Sequence, residues 1–200
     1  NTGQSCNAPS RMLVPADQLD AAEQIAARVC ASIAVGNPAD NATVMGPIAN
    51  GRQHQRVKAL IEKGIEEGAT LVCGGTAMPE GLDTGYFVQP TVFSRANNQM
   101  TIAREEIFGP VLTMIPYQDL EEAVAIANDT DYGLSGYVFG DNDQARQIAN
   151  RLRTGNVHLN GAGPDFQAAF GGYKQSGIGR EWGRFGFDEF LEIKSLFLPG

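Results

Sequence analysis

Two hundred residues, 42% hydrophobic and 19% charged, provide for one substantial core or a domain with an appendage, a balance that excludes a disordered chain. A formal net charge of -8 with no Lys/Arg cluster repels both a phosphate backbone and an anionic bilayer, which excludes nucleic acid and membrane as partners. No apolar run approaches the roughly 18 to 20 residues of a bilayer span, and no signal-type segment opens the chain. Three cysteines, Cys6, Cys30 and Cys73, lie 24 and 43 residues apart. That spacing matches no CxxC ligand set, and an odd count argues against a disulfide framework, so the expectation is a reducing cytoplasm and no metal.

The chain opens with NTGQSCNAPSR, where Cys6 stands among Gly3, Ser5 and Asn7, residues that favour turns and exposed backbone, so its thiol reads as accessible. RMLVP (11–15) is a short strand, and Asp17 with Asp20 are placed to cap a helix whose stripe Ile25, Ala26, Val29, Cys30 and Ile33 turns Cys30 toward a core. After a Gly/Pro loop, a second helix carries Val57, Leu60, Ile61 and Ile65, ends near Gly68, and leaves His54 on its polar side. TLVCGG (70–75) is a strand that buries Cys73, followed by strand signals in YFVQPTVF and VLTMIPY. Asp119 and Glu122 form a capping box opening LEEAVAIAN; LSGYVFG is a strand, DQARQIANRLRTG a helix closed by Gly155, and NVHLN another strand.

This alternation is the pattern of an α/β fold, a mostly parallel twisted sheet flanked by helices. From Gly161 the texture turns dense in Gly and aromatics, and EFLEIKSLFLP closes the chain as a strand-like edge tail.

A cysteine nucleophile works as its thiolate and needs exposure, which Cys6 has; the competing reading is a surface thiol without a role. In REEIFGPV, a carboxylate beside an aromatic on a turn, Glu106 with Phe108, suits a sugar diol and a flat ring, against the reading of a solvated Glu pair over a core Phe. AFGGYKQSGIGRE is neither G-x-G-x-x-G nor a P-loop, and the chain holds no dinucleotide fingerprint; its glycines read as points of close backbone approach, with Phe170 and Tyr173 packing beneath. His158 and Asn160 on one strand face leave a Cys6/His158 cysteine hydrolase open, although a hydrogen-bonded strand histidine is the commoner case.

Taken in order, GQSC with Asn7, Ala8 and Arg11, GPI at Gly46, EEGATLVCGG, YFVQPTVF, REEIFGPV, YGLSGYVF, GNVHLN and FGGYKQSGIGREWGRFG resemble the aldehyde dehydrogenase superfamily over nearly the whole chain. The resemblance implies the C-terminal, catalytic part of a longer enzyme beginning just ahead of its nucleophile. By that resemblance Cys6 attacks an aldehyde, and the thiohemiacetal and then thioester carry it to a carboxylic acid. Glu106 holds the nicotinamide ribose of NAD or NADP, and Phe108 lies beside the nicotinamide. Phe170 lines the aldehyde tunnel, and Ser5 and Asn7 touch substrate; where the family usually has Pro ahead of that Phe, this chain has Ala169.

The family's oxyanion Asn, deacylating Glu and Rossmann domain all lie upstream of residue 1, so the expectation is a chain inactive in isolation, or one that acts only as an assembly module. The implied organisation is a catalytic domain over 1–172, a Gly-rich segment over 173–189 that returns toward the cofactor domain, and an oligomerisation strand over 190–200 that builds a homodimer or tetramer.

Overall fold

The apolar run Val111–Tyr117 forms β4, which lies between β1 (Arg11–Pro15) and β3 (Thr91–Ser94) in a four-stranded sheet completed by β2 (Thr70–Cys73), in the order β1-β4-β3-β2. Both neighbours of β4 run parallel to it, and β2 is antiparallel to β3 at the edge. The computed structural model describes residues 1–200 and divides into two units, 1–130 and 131–200. The sheet belongs to the first.

Because successive strand residues face opposite sides, β3 and β4 feed two cores. Phe93 and Ile115 join Val57, Ile61 and Ile102 in one; Val92 and Met114 join Val14 and Leu19 in the other. The first is covered by α2 (Gly51–Glu66) and α3 (Thr101–Arg104), the second by the Ala22, Ala26 and Cys30 face of α1 (Leu19–Ser32). The fold is α/β, a mostly parallel sheet flanked by helices.

The second unit holds one parallel strand–helix–strand crossover, β5 (Ser135–Val138), α5 (Asn142–Ala149) and β6 (Asn156–Leu159). Asp141 caps α5, its side chain accepting from the backbone N–H groups of Asp143 and Gln144. The Gly-rich segment folds onto this crossover. Tyr173 N–H donates to the Gly133 carbonyl at 2.8 Å, and Gly133 N–H to Ser176 Oγ at 2.9 Å. A methyl group added at Gly155 would overlap the Gly171 carbonyl oxygen, a close approach of the kind the glycines of this segment suggest. The two compact units meet in sequence at 130/131.

Several local expectations are met and several are not. Asp119 caps α4 (Leu120–Asn128), accepting from Glu122 N–H at 2.9 Å while Glu122 accepts from Gln118 N–H at 2.7 Å. At α1, by contrast, Gln18 is the cap residue and no side chain caps the helix; Asp20 pairs with Arg95 instead. Ile25 and Val29 are exposed on α1, and in α2 Gly64 rather than Ile65 is buried. His54 is half-buried, its Nε2 3.1 Å from the Phe87 carbonyl. In YFVQPTVF the ladder begins only at Thr91, since Pro90 has no N–H to give it. Residues 190–200 form no strand, because a ladder needs a neighbour and this chain offers them none.

Two carboxylates tie the first unit together. Glu67, at the C-cap of α2, accepts from both the N–H and the hydroxyl of Thr101 at 2.6 Å and so caps α3. Asp129 takes hydrogen bonds from Asn98 and pairs with Arg104 at 3.1 Å. The Thr101 hydroxyl holds the Glu67 carboxyl below its ordinary range, and the Arg104 bond does the same for Asp129. A carboxyl whose folded value is depressed adds stability above its unfolded value and loses it as pH falls through the folded one. Urea denaturation is therefore expected to show stability falling below about pH 4.5, with a shallower acid slope in Asp129→Asn and in Glu67→Gln.

Candidate active site

Cys6 sits at a corner. Ala8 N–H donates to the Ser5 carbonyl at 3.0 Å, closing a turn that places Cys6 and Asn7 at its two central positions and projects the thiol outward. Cys6 and Asn7 are exposed, Ser5 is half-buried, and the Ser5 hydroxyl donates to Asn7 Oδ1 at 2.6 Å. The accessible thiol expected from Ser5, Asn7 and Gly3 is what the fold displays.

The turn is anchored from behind by polar side chains. Thr2 is buried and donates from Oγ1 to the Gly46 carbonyl at 3.0 Å; Gln4 accepts from Ala49 N–H at 2.8 Å and donates to the Asn1 carbonyl at 3.0 Å. Gly3, at φ +69, fits where nothing larger does, since a methyl group there would overlap the carbonyl of Gly109. The Cys6 loop therefore lies directly on the Glu106 loop.

Sheet topology explains the meeting. The Cys6 loop leads into β1 and the Glu106 loop into β4, and because those strands are parallel neighbours, Arg11 opposite Thr113, both loops enter at the same end of the sheet. Thr113 N–H reaches across to the Ser10 carbonyl at 2.9 Å. Gly3 and Gly109, 106 residues apart in sequence, thereby come into backbone contact.

Along the second loop exposure alternates: Glu106 out, Ile107 buried, Phe108 out, Gly109 buried. Glu106 and Phe108 are both exposed, but the segment is not the simple extended loop their spacing suggests. Phe108 has φ +55, a left-handed conformation that a bulky residue adopts only when its surroundings hold it there. Gln53 and Arg56 of α2 supply that hold. Gln53 Nε2 donates to the carbonyls of Ile107 and Phe108, each at 2.9 Å, and Arg56 Nη1 to those of Glu106 and Ile107 at 2.6 and 3.1 Å. Arg56 also pairs with Glu105 at 3.3 Å. Glu106 itself is exposed to solvent.

Gln53 and Arg56 were not legible in the sequence as site residues, because polar positions on an amphipathic helix read as solvent-facing. Only their offset of three, one turn apart on the same face, hints at a shared target.

Phe170 lies in the second unit, where it is half-buried and stacked on Trp182 with ring centroids 4.7 Å apart; Trp182 also meets Phe166 at 4.7 Å. Tyr173 does not pack beneath the glycines: it is exposed, with the Arg180 guanidinium over its ring. His158 is engaged as a strand histidine, Nδ1 donating to the Ala162 carbonyl at 2.8 Å and the ring stacked on Tyr137 at 5.0 Å. No group of three or more His, Cys, Asp or Glu side chains is arranged to hold a metal ion. No helix is long and apolar enough to cross a membrane.

If the Gly3–Gly109 contact sets the site, Gly3→Ala strains a left-handed position and pushes the loops apart, at a cost of about 2 kcal/mol or more. Urea denaturation should record that loss, and limited proteolysis should cut the 1–10 segment faster than in the parent chain. Unchanged stability and protection would show that the loops do not depend on each other.

Residues 1–196 match the Aldehyde dehydrogenase family model. A 3-succinoylsemialdehyde-pyridine dehydrogenase from a Pseudomonas species is 60% identical over 197 residues, 98% of this chain and 41% of that protein. Among solved structures, an aldehyde dehydrogenase mutant from Pseudomonas syringae in complex with NAD+ and octanal superposes with a TM-score of 0.94 at 53% identity, over 96% of this chain and 40% of that one. An aldehyde dehydrogenase from Mycobacterium tuberculosis complexed with NAD+ gives 0.95 at 47% identity, over 99% of this chain and 41% of that one. The chain thus spans about two fifths of the length of these relatives, and by sequence and fold it belongs to the aldehyde dehydrogenase family.

Proposed function

We propose that this chain is the cysteine-bearing, C-terminal portion of an NAD(P)-dependent aldehyde dehydrogenase, with Cys6 as nucleophile. The observation that carries the reading is an exposed cysteine at a turn corner, packed through Gly3 onto a loop that presents a free carboxylate and an aromatic ring. An alternating exposed pair on a loop pinned by Gln53 and Arg56 fits a ribose diol, at Glu106, beside a flat ring, at Phe108. Bound NAD or NADP supplies the hydride acceptor.

The chain's own part is to hold the acyl group. The Cys6 thiolate adds to the aldehyde carbon, forming a C–S bond and an oxyanion; the carbon then gives up hydride and becomes a thioester on Cys6; water displaces the sulfur and releases the carboxylic acid. Ser5 and Asn7, the sequence neighbours of Cys6, are assigned to touch substrate, and Phe170 is assigned to the tunnel wall. The complexes of relatives with NAD+ and octanal support the same classes of cofactor and substrate.

The oxyanion-binding Asn and the deacylating Glu are assigned to a portion outside this chain. Their loss removes on the order of 10² to 10³ and 10² to 10⁴ in rate respectively, so the chain alone is proposed to be inactive. The tail over 190–200, exposed and apolar, is assigned to assembly into a homodimer or tetramer, and the setting to the cytoplasm.

The test mixes this chain with the N-terminal portion of the Pseudomonas relative and follows aldehyde-dependent formation of NADH. Activity is expected in the mixture and not in either part, lost in Cys6→Ala. In Glu106→Gln, KM for NAD should rise by about tenfold or more with a smaller change in kcat. Turnover that survives Cys6→Ala overturns the reading. Stable assembly without activity favours a docking role, and an esterase abolished by His158→Ala favours a cysteine hydrolase.

A further inference from the structure

Cys30 and Cys73 are far apart in sequence, 43 residues, yet α1 carries one and β2 the other to the same place. Both are half-buried and line one cleft of about 180 Å³, shared with Ala27, Gly74 and Pro90. Both pack on the Val92 and Met114 core. Neither belongs to the Cys6 site. Two cysteines that line the same small cleft, one from α1 and one from β2, are candidates for a dithiol rather than two separate thiols.

We propose that Cys30 and Cys73 are an oxidant-modifiable dithiol, joined into an intramolecular disulfide by a hydroperoxide or a small-molecule disulfide. With hydrogen peroxide the Cys30 sulfur attacks one oxygen, breaking the O–O bond and leaving a sulfenic acid and water. The Cys73 sulfur then attacks the sulfenic sulfur, its own proton leaving with the displaced hydroxide as a second water. Two thiols are oxidised by two electrons, and one peroxide is reduced to two waters.

Burial, with the neighbouring Cys30 thiol adding to it, pushes the Cys73 thiol up to about 12. Few thiolates form there at neutral pH, so closure is slow and quickens as pH rises. A thiol of that character is also a poor leaving group, so the finished bond is slow to reduce. The product is a clip between α1 and the edge strand β2, closing a 43-residue loop and therefore restricting the unfolded chain.

The experiment uses the Cys6→Ser chain, so that the exposed thiol cannot react, with hydrogen peroxide at pH 7 and pH 9. Denaturing alkylation and peptide mapping follow. The expected result is a single Cys30–Cys73 cross-linked peptide, lighter by two hydrogens, reversed by dithiothreitol, formed faster at pH 9 and accompanied by a rise in Tm of several degrees. In the further variant Cys73→Ser, Cys30 should instead be trapped by dimedone as its sulfenic acid. Both cysteines remaining alkylatable, or each oxidised separately to sulfinic acid, overturns the proposal, as does a cross-link that leaves Tm unchanged or lowers it.

Discussion

The contact of two backbones, Gly3 against Gly109, organises this part of the molecule. Neither loop has a side chain at the crossing point, so the chains lie closer than any residue with a Cβ would permit, and the geometry of Cys6 relative to Glu106 and Phe108 follows from it. The contact is itself a consequence of parallel pairing between β1 and β4, which delivers both loops to one end of the sheet. For the function proposed above, what this crossing supplies is a fixed relation between the Cys6 turn and the Glu106 loop.

Support for the crossing comes from α2, which does two jobs with two faces. Val57 and Ile61 are buried in the core beneath β3 and β4, while Gln53 and Arg56 turn four hydrogen bonds onto the carbonyls of residues 106–108. Gly109 lies against Val57, where a methyl group would come 2.6 Å from Cγ2, so the apolar face contributes to the loop as well. The left-handed Phe108 is the position where this restraint is concentrated. Charge plays a supporting part at Arg11, whose guanidinium binds Asn98 and the carbonyls of Ile126 and Ala127, fastening the end of α4 to the first strand of the sheet.

Much of the fold was legible because it is local. The capping box at Asp119 and Glu122, the crossover from LSGYVFG to NVHLN and the apolar run of β4 follow from short-range pattern, and each forms close to where the residues place it. What was not legible depends on neighbours. Asp20 pairs with Arg95 rather than capping α1, a choice decided 75 residues away. The phase of α2 differs at Gly64, which is buried because Ile102 and Phe93 crowd it, leaving Ile65 exposed. The 190–200 tail has strand composition and no strand, since backbone pairing needs a second edge.

The candidate site was legible in its displayed residues and not in its supports. Cys6, Glu106 and Phe108 announce themselves through small neighbours, paired carboxylates and a Gly-Pro turn. Gln53, Arg56 and Gly3 act through carbonyls and excluded volume, which leave no compositional mark. The most direct measurement is the rate at which iodoacetamide alkylates each cysteine of the native chain at neutral pH. An open thiol at the turn corner predicts that Cys6 is modified well ahead of Cys30 and Cys73; equal rates, or Cys6 the slowest of the three, would contradict it.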